Sequence, residues 1–186
     1  MFSKGHIIEN EIKEKLKEVE EQHNIEFSTT QKILLCIQEP VTTILDVLYG
    51  EVNLFMLDQH LEDADENIAN LLKVNEGDKI DYREAIVHKN GRPLVYAQSY
   101  IPISRCGDPV REDLSKKHLP TGTIMTKNMI ETLRVITEIS IENPNALLQE
   151  LFHTDEPLIT RSYVMIQHKK PVIWTQEKYP LSYFKI

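Results

Sequence analysis

Apolar and polar positions change period along this chain, and the changes mark its elements. Residues 6–23 are charged, with Ile8, Ile12, Leu16 and Val19 recurring as one narrow stripe. That spacing predicts an amphipathic helix. It reads as a surface or docking helix, with a homodimer contact as the second reading. Ser28 to Thr30 can cap the next segment, TTQKILLCIQ. Pro40 suits the first turn of a further helix, VTTILDVLYG, and Gly50 suits its end.

From residue 52 a period of two takes over. Val52 to Asp58 alternates and predicts a strand. Asp65 to Leu72 reads as a short helix with acids in its first turn. Residues 80–88 and 93–101 flank Asn90-Gly91, a strong hairpin signal. Ser104 to Asn128 reads as loop and helix (REDLSKKHL) with a glycine turn at Thr121-Gly122-Thr123. Ile130 to Ile141 is rich in β-branched residues and predicts a strand. Asn145 to Phe152 reads as a short helix. Residues 159–168 and 172–179 read as a second hairpin around His168 to Pro171.

The two hairpins are copies. REAIVHKNGRPLVYAQSYIP begins at Arg83, and RSYVMIQHKKPVIWTQEKYP begins 78 positions later at Arg161. Without a gap, Pro93 aligns with Pro171, Gln98 with Gln176 and Pro102 with Pro180. Two copies are too few for a solenoid. They predict a duplicated half of strand, helix and hairpin, and therefore six strands. The expected fold is α+β: a six-stranded antiparallel sheet with helices on one side and a ligand pocket inside. Residues 1–27 form a helical arm, and residues 28–186 form one domain with halves at about 40–102 and 118–180.

Composition narrows the partners. A net charge of −8 works against phosphate-backbone binding, so nucleic acid is not expected. No apolar run reaches the length of a membrane span, and the N-terminus lacks a signal-peptide core. The protein reads as cytoplasmic. Two cysteines make no disulfide framework. Cys36 reads as a small core residue, and Cys106, in a loop, as exposed enough to react. The seven histidines show no metal-ligand spacing. No nucleotide-binding glycine motif or serine-hydrolase elbow occurs.

The candidate chemistry lies in three arginines. Arg83 and Arg161 begin equivalent hairpin strands, and Arg134 lies inside an apolar strand. A guanidinium in such surroundings must find an acceptor, because its charge cannot be lost. Internal carboxylates, an outward-facing position on the solvated side of the sheet, or a ligand with two anionic ends would satisfy them. Glu177 breaks the repeat symmetry, its counterpart being Ser99. Read alone, Glu177 is a strand-end acid facing solvent.

With these blocks placed, the chain resembles the chorismate pyruvate-lyase family in its divergent archaeal-type branch. It is similar, more distantly, to effector-binding domains of one class of bacterial transcription regulators. The resemblance spans roughly residues 30 to 180. Its marks are ILLCIQEPVTTILDVLYGE, YREAIVHKNGRPLVYAQSYIP, LPTGTIM with Arg134 and Glu138-Ile139 downstream, and ITRSYVMIQHKKPVIWTQEKYP. It implies cofactor-free conversion of chorismate to 4-hydroxybenzoate and pyruvate. The alternative is a stand-alone carboxylate-binding sensor domain on the same fold. The implied site includes Arg83 for the ring carboxylate, Arg161 or Arg134 for the enolpyruvyl carboxylate, and Glu177 for the 4-hydroxyl. Val41, Thr121 and Gly122 fall at further ligand-binding positions. Gln98 falls where family members carry a charge, and Ile173 would help line the pocket.

Overall fold

The computed structural model describes residues 3–117 and 119–185. The Ile8 side chain and His118, at the end of the REDLSKKHL segment, lie outside what is described. Helix α1 (Ser3–His23) lays Leu16 and Val19 into the core, and Lys15 donates to the carbonyls of Ile136 and Thr137. Ser28 caps α2 (Thr29–Cys36) through a capping box with Gln31. The Gln31 amide also donates to the carbonyls of Leu181 and Tyr183, tying α2 to the end of the chain. Helix α3 (Val41–Tyr49) opens at Pro40 and stops at Gly50, whose φ of 73° suits glycine.

The remaining order is β1 (Asn53–Asp63), α4 (Glu66–Leu72), β2 (Lys79–Lys89), β3 (Arg92–Pro102), α5 (Asp108–Ser115), α6 (Thr121–Lys127), β4 (Leu133–Glu142), α7 (Ala146–Phe152), β5 (Leu158–Gln167) and β6 (Lys170–Pro180). Strand, helix and hairpin thus occur twice. The expected glycine turn at Thr121-Gly122-Thr123 is instead the first turn of α6. Gly122 is tolerated there because Pro120 fixes the entry and the first helical N–H groups need no helical acceptor.

The six strands form one antiparallel sheet in the order β1-β2-β3-β6-β5-β4. The two hairpins join at β3 and β6, where Gln98 faces Gln176. Those residues are repeat equivalents. The outer pairs exchange under the repeat: Tyr96 faces Lys178 and Tyr100 faces Trp174, while the repeat makes Tyr96 the counterpart of Trp174 and Tyr100 that of Lys178. The hairpins are therefore related by a local two-fold passing between Gln98 and Gln176. Asn90-Gly91 turns the first hairpin with both φ positive; His168 and Lys169 do the same in the second without glycine.

One sheet face packs against α1, α2, α3, α5 and α6, with Val87, Val95, Tyr163, Met165 and Ile173 in a shared core. The short helices α4 and α7 lie on the other face, so the helices are not confined to one side as the sequence leads one to expect; the apolar residues Tyr96, Val164 and Trp174 on that face also need cover. Ile68 and Leu72 of α4 cluster with Trp174, while Leu148 and Phe152 of α7 cluster with Tyr96, the counterpart of Trp174. Each half's short helix covers the other half's hairpin. That exchange buries apolar surface across the junction. Among the described residues no helix is long and apolar enough to cross a membrane.

Candidate active site

The cavity lies between the inner face of β2 and β3 and the starts of α3 and α6. It has a volume of about 50 Å³, and its floor is Ala85, Val87, Val95 and Ala97. Leu54 and Met56 of β1 close one side, and Leu119 to Gly122 close the top. Pro40-x-x-Thr43-Ile44 and Pro120-x-x-Thr123-Ile124 open the two helices alike. Neither helix start carries a side-chain cap. The helices approach closely at Gly122, where an added Cβ would fall 2.7 Å from Pro40 Cγ. Only glycine permits that contact.

Three buried arginines gather here in different states. Arg83 on β2 is 3% exposed and faces Ser99 across the ladder. Its Nη2 donates to the Leu119 carbonyl at 3.0 Å, and its Nε has no partner. Burial lowers its pKa from the ordinary value, and the Asp81 charge opposes the shift. Arg134 on β4 is 5% exposed. Its Nη1 donates to the Gln38 carbonyl, its Nε has no partner, and its guanidinium lies 4.5 Å from the Tyr163 ring centre. Among the described residues neither arginine has a carboxylate in salt-bridge contact.

Arg161 differs from both. It faces Glu177 across the β5–β6 ladder, and Nε and Nη2 donate to Glu177 Oε2 at 3.1 and 2.5 Å. Nη1 donates to the carbonyls of Leu34 and Ile37. Burial opposes the Arg161 charge most strongly, yet Glu177, Tyr163 and Tyr179 together outweigh it and the pKa is raised. The second carboxylate oxygen, Oε1, accepts from the Tyr163 hydroxyl at 3.0 Å. Burial, followed by the Glu177 charge, pushes that hydroxyl's pKa up. Glu177 lines the cavity as an acceptor held in place from two sides, by Arg161 and by Tyr163.

Val41, Arg83, Thr121, Gly122, Arg134 and Glu177 therefore meet around one cavity. Arg161 does not line it, because Glu177 and two helix carbonyls occupy its donors. Gln98 lies on the opposite sheet face, donating to Tyr82 Oη. Ile173 is fully buried in the core behind the site. Glu177 is 4% exposed, so the solvent-facing reading of this acid is overturned. Cys106 is also buried; its thiol donates to the Pro102 carbonyl, and desolvation pushes its pKa up to about 11. That suppresses the thiolate on which reactivity depends.

Tyr163, Leu54 and Met56 also line the cavity, as does Ser99, which the repeat marks only as the counterpart of Glu177. A signal for Tyr163 existed: its repeat counterpart is Ala85. Tyr163 fills the second half where Ala85 leaves room in the first. The Ser99/Glu177 difference acts with it. One half holds its arginine with an internal carboxylate, and the other leaves its arginine facing a cavity.

The family described as chorismate pyruvate-lyase Rv2949c-like matches residues 39–185. A Methanocaldococcus jannaschii protein, MJ0807, provisionally named a lyase, is 30% identical over 149 residues, covering 77% of this chain and 73% of that protein. Two solved structures are similar in fold. PhnF from Mycobacterium smegmatis matches with a TM-score of 0.67 at 16% identity, covering 88% of this chain and 84% of PhnF. A GntR-family transcriptional regulator from Bacillus cereus matches with a TM-score of 0.59 at 14% identity, covering 73% of this chain and 95% of that one. At such identities the structures speak for the fold alone. The sequence match covers most of the chain and all of the cavity residues, and on it the chain belongs to the chorismate pyruvate-lyase Rv2949c-like family.

Proposed function

We propose that this protein is a cofactor-independent lyase that converts chorismate to 4-hydroxybenzoate and pyruvate. The observation that carries this reading is the pair of buried guanidiniums, Arg83 and Arg134, which share one cavity and lack carboxylate partners. Such groups are costly unless a ligand supplies the anions. Chorismate supplies two, one on its ring and one on its enolpyruvyl arm.

In this reading Arg83 takes the ring carboxylate, and the Leu119 carbonyl gives up its place on Nη2 as the ligand seats. Arg134 takes the enolpyruvyl carboxylate. Val41 and Thr121 head the two helices, so their backbone N–H groups are the ligand donors and side-chain identity matters little. Glu177 Oε1, already accepting from Tyr163, keeps a lone pair for the 4-hydroxyl of the ring.

The reaction then balances without a further reagent. The C3–O ether bond breaks, and the hydrogen on C4 passes to the methylene of the departing enolpyruvate, which becomes pyruvate. The C4–H bonding pair becomes the last ring double bond. Aromatisation drives the step. The site contributes a reactive conformer and positive charge where the leaving oxygen becomes negative. The apolar floor excludes water and strengthens both effects.

The test is to incubate the purified protein with chorismate and follow 4-hydroxybenzoate and pyruvate together. Equal formation above the spontaneous rate, lost in Arg83→Ala, supports the lyase. Removing Arg83 is expected to cost on the order of 2–5 kcal/mol in ligand binding. Absence of turnover, with a melting temperature raised by aromatic carboxylates, would move the reading to a stand-alone carboxylate-binding domain.

A further inference from the structure

The two unpaired guanidiniums are not equivalent. Arg83 has a negative neighbour, since Asp81 lies two residues earlier on the same strand face and supports its charge. Arg134 has one carbonyl and the face of an aromatic ring. An aromatic face compensates a cation far less than an anion in a dry site does. The start of α3, uncapped at Pro40, adds positive potential beside it. Glu177, the carboxylate among the residues lining the cavity, is already engaged by Arg161 and Tyr163. Arg134 is thus the cavity cation with the least internal compensation.

Resting on the lyase reading of this cavity, we infer that Arg134 is a specificity-determining residue that makes the site hold a dianion in preference to the aromatic monoanion left after reaction. The substrate brings one carboxylate to each arginine. Each product carries away only one. Once the enolpyruvyl arm leaves as pyruvate, the aromatic product keeps its carboxylate on Arg83, and Arg134 faces no anion. A buried partner left unpaired discriminates far more strongly than a lost apolar contact does. Product should therefore be held loosely and be displaced by the next substrate molecule. Tyr163 is the positioning residue in this scheme: its ring supports the Arg134 guanidinium and its hydroxyl fixes Glu177.

The test compares the KM for chorismate with the inhibition constant for 4-hydroxybenzoate in the wild type, Arg134→Met and Arg134→Lys. In the wild type, KM should lie below the inhibition constant. Arg134→Met should raise KM by at least about tenfold, while the inhibition constant stays level or falls. Arg134→Lys keeps the charge and should give an intermediate KM, which carries the test should the apolar variant not fold. Equal weakening of substrate and product, or an unchanged KM, would overturn the inference. Calorimetry with isophthalate and benzoate, a dianion and a monoanion on one ring, separates this from the lyase reading. Absence of turnover, with isophthalate preferred and that preference erased in Arg134→Met, would overturn the lyase and sustain the selector. Turnover with no difference between the two acids in either protein would do the reverse.

Discussion

Arg161 and Glu177 face each other across the β5–β6 ladder, with Nη2 and Oε2 2.5 Å apart and both side chains almost wholly buried. The same place in the first hairpin pairs Arg83 with Ser99, a hydroxyl too short and too weak to neutralise a guanidinium. One substitution between two copies of a hairpin therefore separates a structural ion pair from an anion site. Glu177→Ala should leave Arg161 buried and unpaired and lower stability by about 3–5 kcal/mol. Denaturant unfolding of the ligand-free protein measures this. The double variant Arg161→Met/Glu177→Ala should regain part of the loss, because no orphaned charge remains.

Arg83 should behave in the opposite way. Its charge is buried without a salt-bridge partner, so Arg83→Met should leave ligand-free stability unchanged within about 1 kcal/mol, or raise it. Binding of 4-hydroxybenzoate should be lost in the same variant. A thermal melt with and without the acid checks both halves. A large loss of stability would mark Arg83 as structural and remove it from the ligand's contacts.

Gly122 sets how closely α3 and α6 approach. The Cβ of alanine there would lie 2.7 Å from Pro40 Cγ and 3.7 Å from Arg134 Nη2. Pro40 is a stiff ring at a helix start and cannot swing away, so the two helix ends must separate. Gly122→Ala should cost about 1–3 kcal/mol of stability and raise KM for chorismate more than it lowers kcat. Steady-state kinetics beside a urea titration tests the pair of expectations.

Asp113 fastens α5 to α6 beneath the cavity roof. Its carboxylate accepts from Lys116 Nζ at 2.8 Å, Lys127 Nζ at 2.7 Å and Asn128 Nδ2 at 3.0 Å. Hydrogen bonds from Lys116, Lys127 and Asn128, in that order, hold its pKa far below the usual aspartate range. A carboxylate with a depressed pKa in the folded state gives stability that is fully present above the unfolded value, near 4, and is lost as pH falls below it. The melting temperature of Asp113→Asn should therefore lie below wild type at pH 6. The gap should close as pH is lowered from about 4 toward 2. A gap that persists unchanged at pH 2 would mean that the charge plays no part.

Much of this architecture was legible in the chain because its signals are local. Asn90-Gly91 places two positive φ values between alternating strands, and Ser28 with Gln31 closes a capping box. The hairpin repeat at 78 residues located both arginines. A second correspondence, at 80 residues, pairs Pro40 with Pro120 and Leu54 with Arg134. It escaped the 78-residue alignment because two extra residues in the loop before β2 shift the register. The glycine turn expected at Thr121-Gly122-Thr123 is a helix start for a separate reason: Gly122 breaks a helix interior, but near a proline-led start it does not.

The sequence by itself determined the six strands, the paired hairpins, the α+β class and the arginines that must find acceptors. Side-chain alternation, turn conformation and the permanence of the guanidinium charge are properties of short segments and single residues. Which acceptor each arginine finds was decided by the tertiary structure. Arg161 meets Glu177 only because the β5–β6 register sets them opposite. Arg134 meets Tyr163 only because β4 pairs with β5. Glu177 becomes a desolvated acceptor only once the helices cover that sheet face. Those outcomes depend on register and burial between distant segments, where no local preference of the chain reaches.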